Sequence, residues 1–90
     1  MGRNSDKENK VAQMDLKQIL TDIARAIVDT PEAVNVVENV DGDNVELILT
    51  VSEDDTGMVI GRHGKIAKAI RQIMKAAANT CGKHVTVEIK

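Results

Sequence analysis

The hydrophobic positions between Leu16 and Val28 recur at the i, i+3, i+4, i+7 spacing that marks one face of a helix. After Val28 the sequence reads Asp29, Thr30 and Pro31, and a residue that precedes proline is biased away from the helical region. The pattern therefore predicts a first helix that ends before Pro31. Its apolar face comprises Leu16, Ile19, Leu20, Ile23, Ala24, Ile27 and Val28.

A change of period from helical to alternating follows Pro31. The stretch "AVNVVENV" is short and rich in β-branched residues, and "DGDN" from Asp41 to Asn44 is typical of a turn. In the next stretch, "VELILTV", apolar and other residues alternate as in a strand with one buried face. These features predict a β-hairpin whose second strand directs Val45, Leu47, Leu49 and Val51 towards a core.

The second half of the chain predicts two helices and a third strand. Ser52 and Asp55 resemble a capping box, and the acids of residues 53–55 favour the positive end of a helix. Gly61 and Gly64 interrupt that helix, and a longer one follows. The terminal "HVTVEIK" alternates like a strand. The predicted fold class is α+β, with element order αββααβ and three helices on one face of a three-stranded sheet.

The longer helix has an apolar side and a basic side. At about 100° per residue, its bases fall within an arc of about 120°, nearly opposite the apolar stripe. We expect the stripe to face the core and the bases to face solvent. The stripe comprises Ile66, Ile70, Ile73, Met74 and Ala77, and the bases are Lys65, Lys68, Arg71 and Lys75.

The distribution of charge is more informative than the net charge of -2. Residues 1–55 hold 13 acidic and 5 basic residues, whereas residues 56–90 hold 1 acidic and 7 basic residues. The two parts thus carry -8 and +6. This asymmetry favours an anionic partner that meets one face of the domain.

Composition limits the remaining possibilities. The 90 residues are sufficient for one small domain, predicted over residues 14–90, while residues 1–13 lack apolar periodicity and are expected to be a disordered extension. Cys81 is the single cysteine, and no apolar run approaches the roughly 20 residues that a membrane span requires. A cytoplasmic location is expected. The absence of Phe, Tyr and Trp makes the core aliphatic and disfavours modules that stack bases on aromatic side chains.

The stretch "VIGRHGKIAKAI" has two glycines separated by Arg62 and His63. It is neither a P-loop nor a dinucleotide fingerprint, because both would need glycine where Val59 stands. Without Cβ atoms, however, a sugar-phosphate chain can approach such a loop closely, and the next helix start favours an anion. Arg62, Lys65 and Lys68 would add positive charge.

Catalytic and metal sites find little support in the sequence. Cys81 and His84 are the sole pair with suggestive spacing, and neither a tetrahedral ligand set nor a nucleophile with its base emerges around them. We expect both residues to be structural, the protein not to be an enzyme, and no cofactor to be required.

Taken with the order of elements, "VIGRHGKIAKAI" resembles the signature of the KH domain, in which a GXXG loop clamps about four nucleotides of single strand. The order αββααβ resembles the type II, bacterial form of that domain. The stretches "AIVDTPEAV" and "DDTGMVIGRHGKIAKAIRQIMKAAA" are similar to the single-KH proteins of the KhpA family, which are RNA chaperones or post-transcriptional regulators. The resemblance extends from Leu16 to Ile89.

This resemblance implies a site and partners. The loop would hold the backbone of single-stranded RNA, and the second strand would contribute to an aliphatic groove for the bases. The implied RNA-binding residues are Ile60, Gly61, Arg62, His63, Gly64, Lys65, Ile66, Lys68 and Arg71. The contribution of His63 should depend on pH, since histidine changes charge near neutrality. The resemblance also implies a homodimer, or a pair with a KhpB-like KH protein. The alternative is a protein-interaction module in which GXXG is only a turn.

Overall fold

The computed structural model describes residues 15–90 and confirms the predicted α+β fold, with three helices and a three-stranded sheet. The helices are α1 (Leu16–Ile27), α2 (Thr56–Ile60) and α3 (Lys65–Thr80), and the strands are β1 (Asn35–Asp41), β2 (Asn44–Thr50) and β3 (His84–Ile89). Short 3-10 turns lie at Pro31–Ala33, Glu53–Asp55 and Arg62–Gly64. The expected disordered extension over residues 1–13 lies outside the described residues.

Helix α1 begins and ends at the residues that the sequence indicated. The Asp15 carboxylate accepts a hydrogen bond from the Gln18 N–H at 3.1 Å, which satisfies one of the free amides of the first turn. Val28 has an extended backbone and closes the helix through its N–H to the Ala24 carbonyl. The predicted apolar face is buried or packs against the core along its whole length.

The sheet has the order β1-β2-β3, with β1 and β2 antiparallel and β2 and β3 parallel. Asp41 pairs with Asn44, so the predicted hairpin turn spans two residues, and Gly42 supplies the positive φ of 62° that such a turn needs. The parallel pairing of β2 with β3 requires a crossover, which α2 and α3 provide. Because α2, the glycine loop and α3 form this crossover, the loop lies at one end of the sheet.

The core is aliphatic and lies between the sheet and the helices. Alternation in β2 holds as predicted, since its inward positions are buried and Ile48 is not fully covered. The largest fully buried side chains are Leu20, Leu47, Leu49, Val59, Ile70 and Met74. Burial on this scale is what fixes α3 over the sheet and hence orients the loop that precedes it.

The expectation that the whole apolar stripe of α3 faces the core is wrong. On α3 the predicted stripe is wider than the face that the sheet covers. Ile70 and Met74 are buried, whereas Ile66 is 38% and Ile73 50% exposed. Ile66 and Ile73 are seven residues apart and therefore form one exposed flank of α3.

Within residues 15–90, no helix is long and apolar enough to cross a membrane.

Candidate nucleic-acid interface

The glycine loop is a tight turn between two helices. Gly61 ends α2 by donating its N–H to the Gly57 carbonyl at 2.8 Å, and Gly64 donates to the Gly61 carbonyl at 3.1 Å. Lys65 then starts α3 with a helical backbone. The turn joins the two helices within four residues, and its Arg62 and His63 side chains are exposed to solvent.

The two glycines are needed for different reasons. Gly61 has φ 76° and ψ 173°, and a Cβ placed there would lie 2.6 Å from Cγ1 of Ile66. Gly64 has φ 73° and ψ 15°, the left-handed conformation, and a Cβ there would have no atom within 4 Å. Gly61 is thus required by packing as well as by backbone conformation. Gly64 is required by conformation and leaves open space in front of the helix.

His63 also has a left-handed backbone, with φ 59° and ψ 24°. It is the one described residue other than glycine with a positive φ. This conformation is uncommon for a residue with a Cβ, although histidine adopts it more readily than most. Such strain is typical of loops whose shape serves a ligand, and it directs the imidazole outward.

The start of α3 is an electropositive site without an internal counter-charge. No side chain caps its first turn, and no acidic residue lies there. A helix of 16 residues directs the positive end of its dipole at this point, where the Lys65 N–H is bonded to the Arg62 carbonyl and the later amides of the first turn have no partner within the helix. The ion pair found among residues 15–90 joins Lys90 to Glu88, so Arg62, Lys65 and Lys68 are not neutralised by a carboxylate.

Arg71 differs from the other bases of α3. Its Nε donates to the Val87 carbonyl at 3.3 Å, a contact that ties α3 to β3. Since β3 is an edge strand, this places part of the guanidinium beside the sheet edge. Arg71 therefore has a structural contact in addition to its predicted role.

Ile60 is the last residue of α2 and is 38% exposed, and Arg71 is described above. The other seven residues implied by the family resemblance fall into two groups. Gly61 to Lys65 form the loop and the helix start, and Lys68 lies one turn further along α3. Ile66 lies about 160° around the helix from Lys68, because residues two apart on an α-helix point in nearly opposite directions. Its side chain lies against Gly61. Ile66 thus supports the loop from the other flank of α3.

The expectation that the second strand contributes to a groove for the bases stays a prediction. β2 is the central strand, and its inward side chains Val45, Leu47 and Leu49 are buried under the helices. The strand at the sheet edge, with a side-chain contact from α3, is β3. Any groove beside the basic flank would therefore be bounded by β3. The parallel crossover that places β3 there is a tertiary feature, which the alternating pattern of "VELILTV" does not reveal.

The capping box predicted at Ser52 and Asp55 is wrong. Neither side chain makes a cap hydrogen bond for the helix, and residues Glu53–Asp55 form a 3-10 turn that directs Asp55 inward. Asp55 is 2% exposed, and its Oδ2 accepts from the Thr30 N–H at 2.9 Å. Asp55 is four residues from each of two buried valines, Val51 and Val59. That spacing is the feature of the sequence that could have indicated its burial.

In the part of the chain that the structure describes, Cys81 and His84 do not belong to a cluster of metal ligands. Among residues 15–90, no three His, Cys, Asp or Glu side chains converge as metal ligands would. Cys81 is half-buried at the end of α3, and His84 is exposed at the start of β3.

Comparison with known proteins decides the family. Residues 17–89 match the family model described as "KhpA/KhpB, KH domain". The chain belongs to the KhpA/KhpB family of KH domains. It is 47% identical over 74 residues to the RNA-binding protein KhpA of Clostridium acetobutylicum, covering 82% of this chain and 99% of that protein. The same identity and coverage hold for the RNA-binding protein KhpA of Clostridium perfringens.

A solved structure supports the same fold at low identity. The chain matches part of Era, in a crystal structure of Era with MgGDPNP and nucleotides 1506-1542 of 16S ribosomal RNA, with a TM-score of 0.61 and 20% identity. The match covers 82% of this chain and 28% of the Era chain. It shows that the fold of this KH-family chain is shared with a segment of a larger protein.

Proposed function

We propose that this protein binds single-stranded RNA through the Gly61–Gly64 loop and the start of α3, and that it acts on RNA without catalysing a reaction. The observation that carries the proposal is the open, uncapped and un-neutralised helix start behind two positive-φ glycines. The names of the 47%-identical relatives, RNA-binding protein KhpA, support the choice of ligand.

The mechanism follows from the loop geometry. A phosphate can approach the backbone at Gly64 because no side chain occupies the space in front of it. The first-turn amides of α3 that follow Lys65 and the Arg62 guanidinium then donate to the phosphate oxygens, and the Lys65 and Lys68 side chains extend the positive track. The contacts are to the sugar-phosphate backbone, so they position the strand without reading its sequence.

Sequence preference should be weak. A GXXG loop contacts about four nucleotides, and contacts with about 2 to 4 phosphates give a salt slope of about -1.5 to -3 for a single strand. Such a domain fits an RNA chaperone or a post-transcriptional regulator that acts on many transcripts. An RNA ligand and a lone cysteine fit a cytoplasmic location.

The test compares Arg62→Asp/His63→Asp with Lys83→Asp/His84→Asp in fluorescence anisotropy with a short single-stranded RNA. Both double variants replace one base and one histidine, so their change in charge is equal. Residues 83 and 84 follow the far end of the 16-residue α3, about 24 Å from the loop. We expect the loop variant to lose binding and the control to retain most of it. If both variants lose RNA affinity equally, the loss is explained by overall charge, and the role of the loop is refuted.

A homodimer is the second proposal, and the exposed flank of Ile66 and Ile73 favours it. Large aliphatic side chains that are 38% and 50% exposed on one helix face are suited to packing against a second copy. A KhpB-like protein is the alternative partner, since the family model covers both names. Light scattering at high micromolar concentration tests the homodimer. A dimer mass that Ile73→Asp converts to a monomer mass is expected, and a monomeric wild-type protein would contradict it.

A further inference from the structure

Asp55 is the one buried charged residue among residues 15–90, and the loop chemistry does not use it. Its carboxylate points away from the solvent-exposed neighbours Glu53 and Asp54. Oδ2 accepts a hydrogen bond from the Thr30 backbone N–H at 2.9 Å, across 25 residues of sequence. The contact joins the segment after α1 to the residue directly before α2, the helix that leads into the glycine loop.

The α2 helix, which leads into the glycine loop, also contacts α1 and α3. Helix α2 has five residues, and such a short helix is not stable on its own. Val59 is its only buried residue, so it provides one anchor in the core. Asp55, one residue before α2, provides the second anchor. With both anchors in place α2 is held in one orientation. Its last turn therefore fixes the direction in which the chain enters Gly61.

The path from Asp55 to the loop is short and continuous. The Asp55 N–H donates to the Ser52 carbonyl at 2.8 Å, which closes the 3-10 turn. Gly57 lies two residues further on, and its carbonyl receives the Gly61 N–H at 2.8 Å. A rotation at Asp55 would therefore move the glycine loop relative to α3, where Gly61 lies against the Ile66 side chain.

We propose that Asp55 is a positioning residue for RNA binding: its buried hydrogen bond to Thr30 holds α2 and the Gly61–Gly64 loop in the binding-competent geometry. Without it, α2 turns about Val59 and the loop samples several orientations. The apparent dissociation constant then rises in inverse proportion to the fraction of loops that remain in place. If one loop in about five to ten remains in place, affinity falls about five- to tenfold in the folded protein.

If Asp55 acted only through its charge, its removal would change the RNA affinity in the opposite direction. Removing a carboxylate near a phosphate-binding loop lessens repulsion and should tighten RNA binding slightly. Asp54 is the matched control, because it is the exposed neighbour of Asp55 with the same charge. Asp54→Ala should therefore bind RNA as well as or better than wild type, whereas Asp55→Ala should bind more weakly. The isosteric Asp55→Asn keeps an oxygen that can accept from Thr30 and should recover most of the affinity.

The experiment measures single-stranded RNA affinity by anisotropy and amide hydrogen exchange by NMR, on the full chain at a temperature where circular dichroism shows each variant folded. This inference rests on the proposed function, and the exchange measurement separates the two because it needs no RNA. We expect Asp55→Ala to weaken binding about five- to tenfold and to speed exchange at Gly61 and Gly64, with Asp54→Ala unchanged and Asp55→Asn close to wild type.

Two results would overturn the inference. If folded Asp55→Ala binds RNA as wild type does, the residue contributes only to stability. If exchange at Gly61 and Gly64 is unchanged, Asp55 does not hold the loop. A wild-type protein that fails to bind RNA while Asp55→Ala still frees the loop amides would refute the proposed function and leave the positioning role intact.

Discussion

Substitution by alanine should lower the free energy of unfolding far more at Gly61 than at Gly64, although both residues have a positive φ. At Gly64 the left-handed conformation costs an alanine about 1 to 2 kcal/mol, and loss of unfolded-state entropy offsets about 0.4 to 1 kcal/mol of it. No atom lies within 4 Å of the added Cβ, so no packing term follows. We expect Gly64→Ala to destabilise the protein by about 1 kcal/mol.

At Gly61 two terms add. The conformation at φ 76° and ψ 173° is nearly restricted to glycine, and such strain costs about 1 to 3 kcal/mol. The new Cβ would also lie 2.6 Å from Cγ1, 2.8 Å from Cβ and 3.0 Å from Cδ1 of Ile66. Since two of these atoms are close to the α3 backbone, the helix must shift, and overpacking of this kind costs about 1 to 3 kcal/mol. The two terms sum to about 2 to 6 kcal/mol for Gly61→Ala.

A double-mutant cycle isolates the contact. Ile66→Ala removes Cγ1 and Cδ1 but leaves Cβ, so it should restore part of the loss in Gly61→Ala, by about 1 kcal/mol. Urea unfolding followed by far-UV circular dichroism is the assay, because the chain has no aromatic residue for fluorescence. Equal destabilisation by the two alanines, with no coupling between residues 61 and 66, would refute the packing argument.

Three further predictions concern the scaffold and the basic flank. Leu49→Ala, at a fully buried position of β2, should lower the free energy of unfolding by about 2 to 5 kcal/mol. Ile48→Ala, on the partly exposed outer face of β2, should lower it by about 1 kcal/mol in the same urea titration. Similar losses for the two variants would contradict the assignment of the two faces. Arg71→Met keeps much of the aliphatic stem but loses the hydrogen bond to Val87, so thermal unfolding should show a loss of about 0.5 to 1.5 kcal/mol; an unchanged melting temperature would show that the contact contributes nothing. Lys68→Gln should reduce the salt slope of RNA binding by about 0.7, and an unchanged slope would remove Lys68 from the interface.

The sequence was sufficient for the order of elements, because each one has a clear local signal. The helical period from Leu16 to Val28 and the alternation in β2 both reflect burial on one face, and that burial is what the fold provides. The GXXG loop was equally accessible, since Gly61 and Gly64 stand between two helical patterns. Local patterns of this kind fix elements and turns.

What the sequence could not provide depends on tertiary packing. Ile66 and Ile73 fit the helical period of α3, but the sheet is too narrow to cover them, so both remain exposed. Asp55 fits a capping box in sequence, yet the 3-10 turn directs its carboxylate to Thr30. The position of β3 at the sheet edge follows from a parallel crossover and not from any pattern within the strand. The roles of these residues are set by neighbours distant in the chain.

The most direct test of the account is an NMR titration of the isotope-labelled full chain with a short single-stranded RNA, which reports contact residue by residue. Binding at the loop predicts that the largest amide shifts occur at Gly61 to Lys65, extend to Lys68 and decrease towards Thr80. Largest shifts around Ile73 or on the outer face of the sheet, with the loop amides unchanged, would contradict the account and leave GXXG as a turn.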